Sequence, residues 1–254
     1  MSVKVVQYQW RKGERRPDIN SPLWDLVDHP VDLTFVDPPY NYGVPYEGDV
    51  TGDKLPRRVY EEFVGDVVFQ LANMTRDGGT LWWLCPAEDG EWMWPILTKY
   101  GELLHGRPII WWEKFAQYQK KKLTPDYRLL FPLVVGGGSF TFNPDPIRVE
   151  SERLKMGDPR ANPDGRIPGH VWLVRRLQGT SNFRVPWHPV QLAPEPLQRI
   201  VMGWTNEGDV VLDAFAGSGS MGVICKDLKR GYVAVDESEV YCEKIKERLG
   251  IVDE

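Results

Sequence analysis

Cysteine is scarce. Cys85, Cys225 and Cys242 are the only three in 254 residues, an odd count with no CxxC pair. A disulfide framework and a cysteine-rich zinc site are thereby excluded, and a reducing, cytoplasmic setting is expected. Histidine is almost as rare. His29, His105, His170 and His188 show no HxxxH or HExxH spacing, so no metal site is expected. No apolar run approaches the roughly 18 residues that span a bilayer, so no membrane partner is expected. The opening MSVKVVQYQWRKGERRPD has no apolar signal-peptide core. There is no internal repeat or low-complexity tract, and no excess of positive charge. The net charge of −5 does not advertise nucleic-acid binding.

What is present reads as a globular chain. Hydrophobic residues make up 42%, and the length allows one large domain or two small ones. Charge is unevenly placed. Lys114 to Arg184 holds 13 Lys/Arg against 6 Asp/Glu, so that stretch carries +7 and the remainder −12. This suggests a basic face on an acidic body, although a solvated, loop-rich insertion would look the same.

Short apolar runs alternate with helical periodicity. Strands are expected at 31–37, 80–86, 108–114, 127–135, 209–215 and 232–236. Helices are expected at 55–74, 89–100, from Pro194 to about Trp204, and at 219–229 and 239–249. The first should end at Asp77-Gly78-Gly79. From Gly136 to about Pro186 no period persists, and Asn/Asp-Pro steps and arginines dominate. Such a stretch inside a domain is functional or has a small fold of its own. The alternation predicts a three-layer α/β fold with a mostly parallel sheet covered on both faces.

The segment Val211-Leu212-Asp213-Ala214-Phe215-Ala216-Gly217-Ser218-Gly219-Ser220-Met221-Gly222 runs from a buried strand through glycines into a helix. Glycine permits the sharp turn, and the helix start offers free amide donors. Asp236 ends the next strand, where a carboxylate can accept the hydroxyls of a ribose. The bland reading is a tight strand-to-helix turn. The sharper one is an adenosine cofactor held by Asp213, Phe215, Ala216, Gly217, Ser218, Gly219, Ser220 and Asp236. Gly217, Gly219 and Gly222 also satisfy GxGxxG, so a dinucleotide-dependent oxidoreductase is a rival. An acid at the loop entrance suits an ammonium group better than a pyrophosphate, which favours S-adenosylmethionine.

Val36-Asp37-Pro38-Pro39-Tyr40-Asn41 follows directly on a strand. Two prolines fix φ and remove two amide donors, and Asp37 is pushed toward an extended conformation. The rigid turn presents a carboxylate, carbonyls and an aromatic ring, a set suited to a planar amine. Alone, it could be a stiffened surface turn with a solvated Asp37. In a doubly wound sheet, both it and the glycine loop fall at carboxyl strand ends, where ligands bind.

Together these motifs resemble the DNA amino-methyltransferases, whose signatures are (Asp/Asn/Ser)-Pro-Pro-(Tyr/Phe/Trp) and Phe-x-Gly-x-Gly. The order, Asp-Pro-Pro-Tyr before Phe215-Ala216-Gly217-Ser218-Gly219, resembles the beta arrangement of that family. The likeness runs from about Val31 to Leu249. It includes Phe142-Asn143-Pro144-Asp145, Trp172 and Trp187-His188-Pro189-Val190-Gln191. Leu192-Ala193 stands where the family has Lys-Pro.

The resemblance implies a target base flipped out of double-stranded DNA. Asp37 and the Pro38 carbonyl would bind its amine on the Pro38-Pro39 turn, Tyr40 would stack on it, and His188 and Gln191 would belong to the cofactor site. Catalysis would come from positioning and electrostatics. Residues 1–135 would form the catalytic part, 136–187 a target-recognition insertion, and 188–254 the cofactor part. The resemblance also implies a last strand reversed near 127–135. Arg148, Arg153, Lys155, Arg160, Arg166, Arg175, Arg176 and Arg184 are the candidates to face DNA. Lys120-Lys121-Lys122 could touch phosphates or be solvated. Trp82, Trp83, Trp111 and Trp112 are expected in the core. Asp at position 37 points to the adenine 6-amino group, with the cytosine 4-amino group as the alternative. A non-catalytic DNA-binding protein and a homodimer are further options.

Overall fold

The computed structural model describes residues 2–10, 23–27, 30–46, 53–114, 120–121, 123–177 and 181–251. His29 and Lys122 lie outside them. In chain order the elements are β1 (Val3–Gln7), α1 (Leu23–Leu26), β2 (Val31–Val36), α2 (Arg57–Met74), β3 (Thr75–Pro86) and α3 (Gly90–Leu97). Next come β4 (Gly101–Leu103), β5 (Ile109–Glu113), β6 (Tyr127–Val135), α4 (Glu152–Lys155) and β7 (Val171–Val174). The chain closes with α5 (Pro194–Trp204), β8 (Val210–Asp213), α6 (Ser220–Asp227), β9 (Gly231–Asp236) and α7 (Glu239–Leu249).

Among the described residues the strands form one sheet in the order β1-β9-β8-β2-β3-β6-β5-β7, with β4 also pairing β6. The strands from β1 to β3 are mutually parallel. β6 runs against β3, β4 and β5. Both faces are covered, so the central strands carry long buried, mainly apolar runs whose successive residues point opposite ways. Leu81, Trp83 and Cys85 face α2 and α3, packing with Tyr60, Phe63, Val64 and Met93. Trp82 and Leu84 face α5, α6 and α7, packing with Leu197, Ile200, Met221 and Ile245. Burying each such side chain contributes roughly 1.5–3 kcal/mol.

Several expectations change in detail. The first long helix stops at Met74, before the expected Asp-Gly-Gly, because Thr75 turns extended and already pairs with Val31. Residues between Thr75 and Thr80 then form an irregularity in β3. β6 has the expected reversed direction, but it is an interior strand and not the last. β3 occupies one side of it, and β4 and β5 share the other. β1 and β7 were not apparent from periodicity. β7 is only four residues long, yet Trp172 and Val174 are buried and it pairs in parallel with β5. The segment 136–187 is thus joined to the main sheet. Asn143 reinforces the join: its amide N–H donates to Gly203 O at 2.7 Å and its side chain to Thr205 O at 3.0 Å. Trp82, Trp83 and Trp111 are fully buried as expected, whereas Trp112 is 37% exposed.

Candidate active site

The sheet topology brings one set of groups to one edge. Asp37 follows the carboxyl end of β2, Asp213 ends β8, Asp236 ends β9, and Glu113 ends β5. Because β6 is reversed, its second residue, Arg128, reaches the same edge opposite Pro86. A cleft of about 450 Å³ opens there. Asp37, Pro38, Pro39 and Tyr40 line it together with Asp213, Phe215, Ala216, Gly217, Ser218, Ser220, Asp236 and His188.

The Asp-Pro-Pro-Tyr turn is held from three sides. The Tyr60 hydroxyl on α2 donates to Pro39 O at 2.9 Å. Asn41, at φ 63°, donates its backbone N–H to the buried carboxylate of Asp53 at 2.6 Å, and Val44 N–H donates to the other Asp53 oxygen at 2.7 Å. The Tyr40 hydroxyl donates to Asp37 Oδ1 and accepts from Arg128 Nη1 at 3.3 Å. Arg128 in turn pairs with Glu113. The Tyr40 hydroxyl therefore fixes the ring expected to stack on a base. Burial pushes the Asp37 carboxyl above its ordinary range, opposed by the Arg128 charge and the Tyr40 hydrogen bond.

Across the cleft, Gly217 adopts φ 47°, and a Cβ there would stand 2.7 Å from His188 Nε2. Its backbone N–H donates to Asp236 Oδ2 at 2.8 Å, while Ser238 N–H donates to Asp236 Oδ1 at 3.0 Å. Asp236 therefore organises the glycine loop as well as standing beside the cleft. Asp213 is buried and accepts from the Tyr232 hydroxyl at 3.2 Å. Burial above all, with the charges of Asp37 and Asp236 adding to it, lifts its pKa to about 7. Burial likewise lowers His188 to about 4, so its ring is neutral. Two expected cofactor residues do not line the cleft. Gly219 faces Ile245, and Gln191 braces the loop from behind through Ser220 Oγ at 3.0 Å and Phe183 O at 2.9 Å. Leu192, in place of the family lysine, does line it.

Residues with no sequence signal complete the walls: Gln9, Tyr46, Arg128 and Tyr241, with Asp53 beneath the turn. Strand pairing brings Arg128 there, while Tyr241 comes from α7 and Gln9, Tyr46 and Asp53 from segments outside the strands. Most cationic residues of 136–187 make local ion pairs or carbonyl contacts. Arg153 and Arg160 both pair with Asp158, and Lys155 pairs with Glu150 and Glu152. Arg148 braces Asp145 and Gly165 O, Arg166 donates to Ile167 O, and Arg184 to Pro189 O. Arg175 is exposed. Arg176 reaches the Asp37 side of the cleft, at 2.9 Å from Glu113, and the Arg184 charge acts on His188. Lys120 and Lys121 are exposed.

A mostly parallel sheet covered on both faces, with a glycine loop and an Asp-Pro-Pro-Tyr turn at one edge, defines an α/β methyltransferase. The chain matches the DNA methylase family of N6 and N4 methyltransferases over residues 31–247, and belongs to it. It is 29% identical to the type II methyltransferase M.HpaI of Haemophilus parainfluenzae, covering 89% of this chain and 70% of the relative. It is 26% identical to the DNA adenine methyltransferase YhdJ of Escherichia coli K12, covering 87% and 76%. The chain spans 65–76% of the lengths of the first curated relatives it matches. In fold it is similar to M1.HpyAVI, with a TM-score of 0.63 at 18% identity over 98% of this chain and 100% of that one. Another structure of that protein is a complex with S-adenosylmethionine. The cytosine-N4-specific PvuII DNA methyltransferase has a TM-score of 0.60 at 11% identity, over 89% and 82%. Among the described residues no helix is long and apolar enough to cross a membrane.

Proposed function

We propose that the protein methylates the 6-amino group of adenine in double-stranded DNA, using S-adenosylmethionine. The observation that carries this is a single cleft in which Asp37 faces the Asp213–Asp236 glycine loop. Asp37, Asp213 and Asp236, with Asp53 and Glu237 also lining the cavity, suit a ligand that is cationic at its reacting end, and oppose the pyrophosphate of a dinucleotide. Asp236 would hold the ribose, Gly217 lets the ligand approach the backbone, and Asp213 would face the positive amino-acid end. When bound, S-adenosylmethionine supplies a methyl group made electrophilic by its sulfonium.

An exocyclic amine is a poor nucleophile because its lone pair is conjugated with the ring. Tyr40 occupies Asp37 Oδ1, and Tyr60 occupies the Pro39 carbonyl. Asp37 Oδ2 and the Pro38 carbonyl are then the two acceptors offered to the two amine protons, drawing the nitrogen toward a pyramidal geometry. Tyr40 would stack on the base, and the proton would leave after methyl transfer. Residues 136–187 would read the DNA, with their cations on phosphates and a few groups on base edges. The motif order corresponds to the beta arrangement, and the cytoplasm is the compartment that supplies both substrates.

The adenine choice rests on Asp at position 37 and is supported by the likeness to an adenine enzyme. Cytosine N4 is the second reading, favoured by the fold likeness to a cytosine-N4-specific enzyme. Incubation with labelled cofactor and genomic DNA, then digestion to nucleosides and mass spectrometry, tests both. Label in N6-methyladenine is expected. Label in N4-methylcytosine would overturn the adenine assignment, and no label in either would overturn the function.

A further inference from the structure

A line of polar groups runs from the insertion to the methyl-accepting turn. Arg176, two residues beyond the end of β7, donates Nε to Glu113 Oε2 at 2.9 Å. The other Glu113 oxygen accepts from Arg128 Nη2 and, at 3.2 Å, from Trp111 Nε1. Arg128 Nη1 donates to the Tyr40 hydroxyl, which donates to Asp37. Glu113 is only 9% exposed, and its carboxylate is met by three donors from three strands or their ends. The Arg128 guanidinium lies 5.2 Å from the Trp111 ring centroid and lines the cleft. A buried carboxylate with two guanidinium partners is strongly oriented, because losing either leaves it poorly compensated. The planar Arg128 fork places Nη1 on Tyr40 and Nη2 on Glu113, two separated donors in one plane, a geometry that the single nitrogen of a lysine ammonium does not reproduce.

We propose that Arg128 is the positioning residue of the methyl-accepting turn, and that Arg176 sets it through their shared Glu113 carboxylate, linking the insertion to the catalytic edge. Its catalytic consequence rests on the methyl-transfer reading. The network itself does not, because it consists of contacts within the chain. Arg128 holds the Tyr40 hydroxyl on Asp37 Oδ1 and leaves Oδ2 toward the cleft. It also counter-charges Asp37. The ionisable groups facing Asp37 are Tyr40 on its own turn, Tyr46 on the following loop, Cys85 on β3, Glu113 on β5, Arg128 on β6 and Asp213 on β8. Arg128 favours the ionised carboxyl and Glu113 opposes it. The two halves of the ion pair therefore act on Asp37 in opposite directions because their charges are opposite, and the positioning role is read separately, by methyl transfer in Arg128→Lys.

The test follows the Asp37 titration by carboxyl-carbon NMR of protein carrying ¹³C-aspartate, with the resonance assigned by its loss in Asp37→Asn. Arg128→Met should raise the Asp37 midpoint by about one pH unit, the low end for removal of a nearby opposite charge. Glu113→Gln should lower it, and Arg176→Met should raise it by less than Arg128→Met. Arg128→Lys should return the midpoint toward wild type without restoring methyl transfer to genomic DNA, because the charge returns but the fork does not. Far-UV circular dichroism screens the variants for folding, and Glu113→Gln carries the test if Arg128→Met fails to fold. Midpoints that move the same way in Arg128→Met and Glu113→Gln, or an unmoved midpoint in Glu113→Gln, would overturn the proposal. Full methyl transfer by Arg128→Lys would overturn the positioning role. Wild-type protein that transfers no methyl group would sink the functional reading, while the midpoints would still decide the network.

Discussion

Replacing Asp213 by Asn should make the protein more stable at neutral and alkaline pH. The side chain is 4% exposed, lies beneath the glycine loop and has its pKa raised from 3.8 to about 7. An acid whose pKa is raised on folding stabilises fully below its unfolded value. That stability is lost as pH climbs toward the folded value, because the folded state holds a proton that the unfolded state has released. Between pH 4 and pH 7 the wild type should therefore lose stability that the Asn variant keeps. Each pH unit corresponds to 1.36 kcal/mol, so the gap should approach about 4 kcal/mol above pH 7. Asn retains an oxygen for the Tyr232 hydroxyl, so the geometry survives. Urea unfolding of both proteins from pH 4.5 to 8.5 reads the gap directly. Asp89 also has a raised pKa but contributes similarly to both proteins and largely cancels in the difference, whereas Asp37, whose charge acts on Asp213, shares in the gap. A gap that is flat across this range, or that narrows as pH rises, would refute the reasoning. The same substitution should weaken S-adenosylmethionine binding at pH 8, because the ionised Asp213 that a cation requires is gone.

Asp37→Ala should abolish methyl transfer to genomic DNA while calorimetry finds cofactor affinity nearly unchanged, since the carboxylate stands on the base side of the cleft. Asp236→Ala should weaken cofactor binding by roughly 1–3 kcal/mol, because it unpairs the Gly217 and Ser238 amides as well as the ribose; unchanged affinity in calorimetry would reject that role. Gly222→Ala should cost about 1–3 kcal/mol in urea unfolding, since its Cβ would fall 2.5 Å from Tyr232 Cε1 and 2.9 Å from Leu249 Cδ1. DNA affinity should fall steeply as salt rises from 50 to about 200 mM if the insertion's cations neutralise phosphates, and a salt-independent affinity would contradict that interface.

Much of this molecule was legible in its sequence, because short-range physics governs those parts. The apolar runs at β2, β3, β8 and β9 are buried on both faces and stand out without knowledge of their partners. The prolines of Asp-Pro-Pro-Tyr and the glycines of 217–222 impose local backbone shapes wherever they occur, so the two halves of the cleft could be named from residue types alone. β1, β4 and β7 were not legible, because each is short and has at most two buried positions, never in succession, so none forms the buried apolar run that marked β8 at a similar length. The interior place of β6 was equally hidden, since periodicity reports burial but not neighbours. Only the tertiary structure brought Arg128, Glu113 and Arg176 to Asp37. Each lies on or beside a different strand, separated by up to 139 positions from Asp37 in the sequence. The reversal of β6 decides whether its start or its end meets the catalytic edge, and strand pairing between distant segments is a property of the whole sheet.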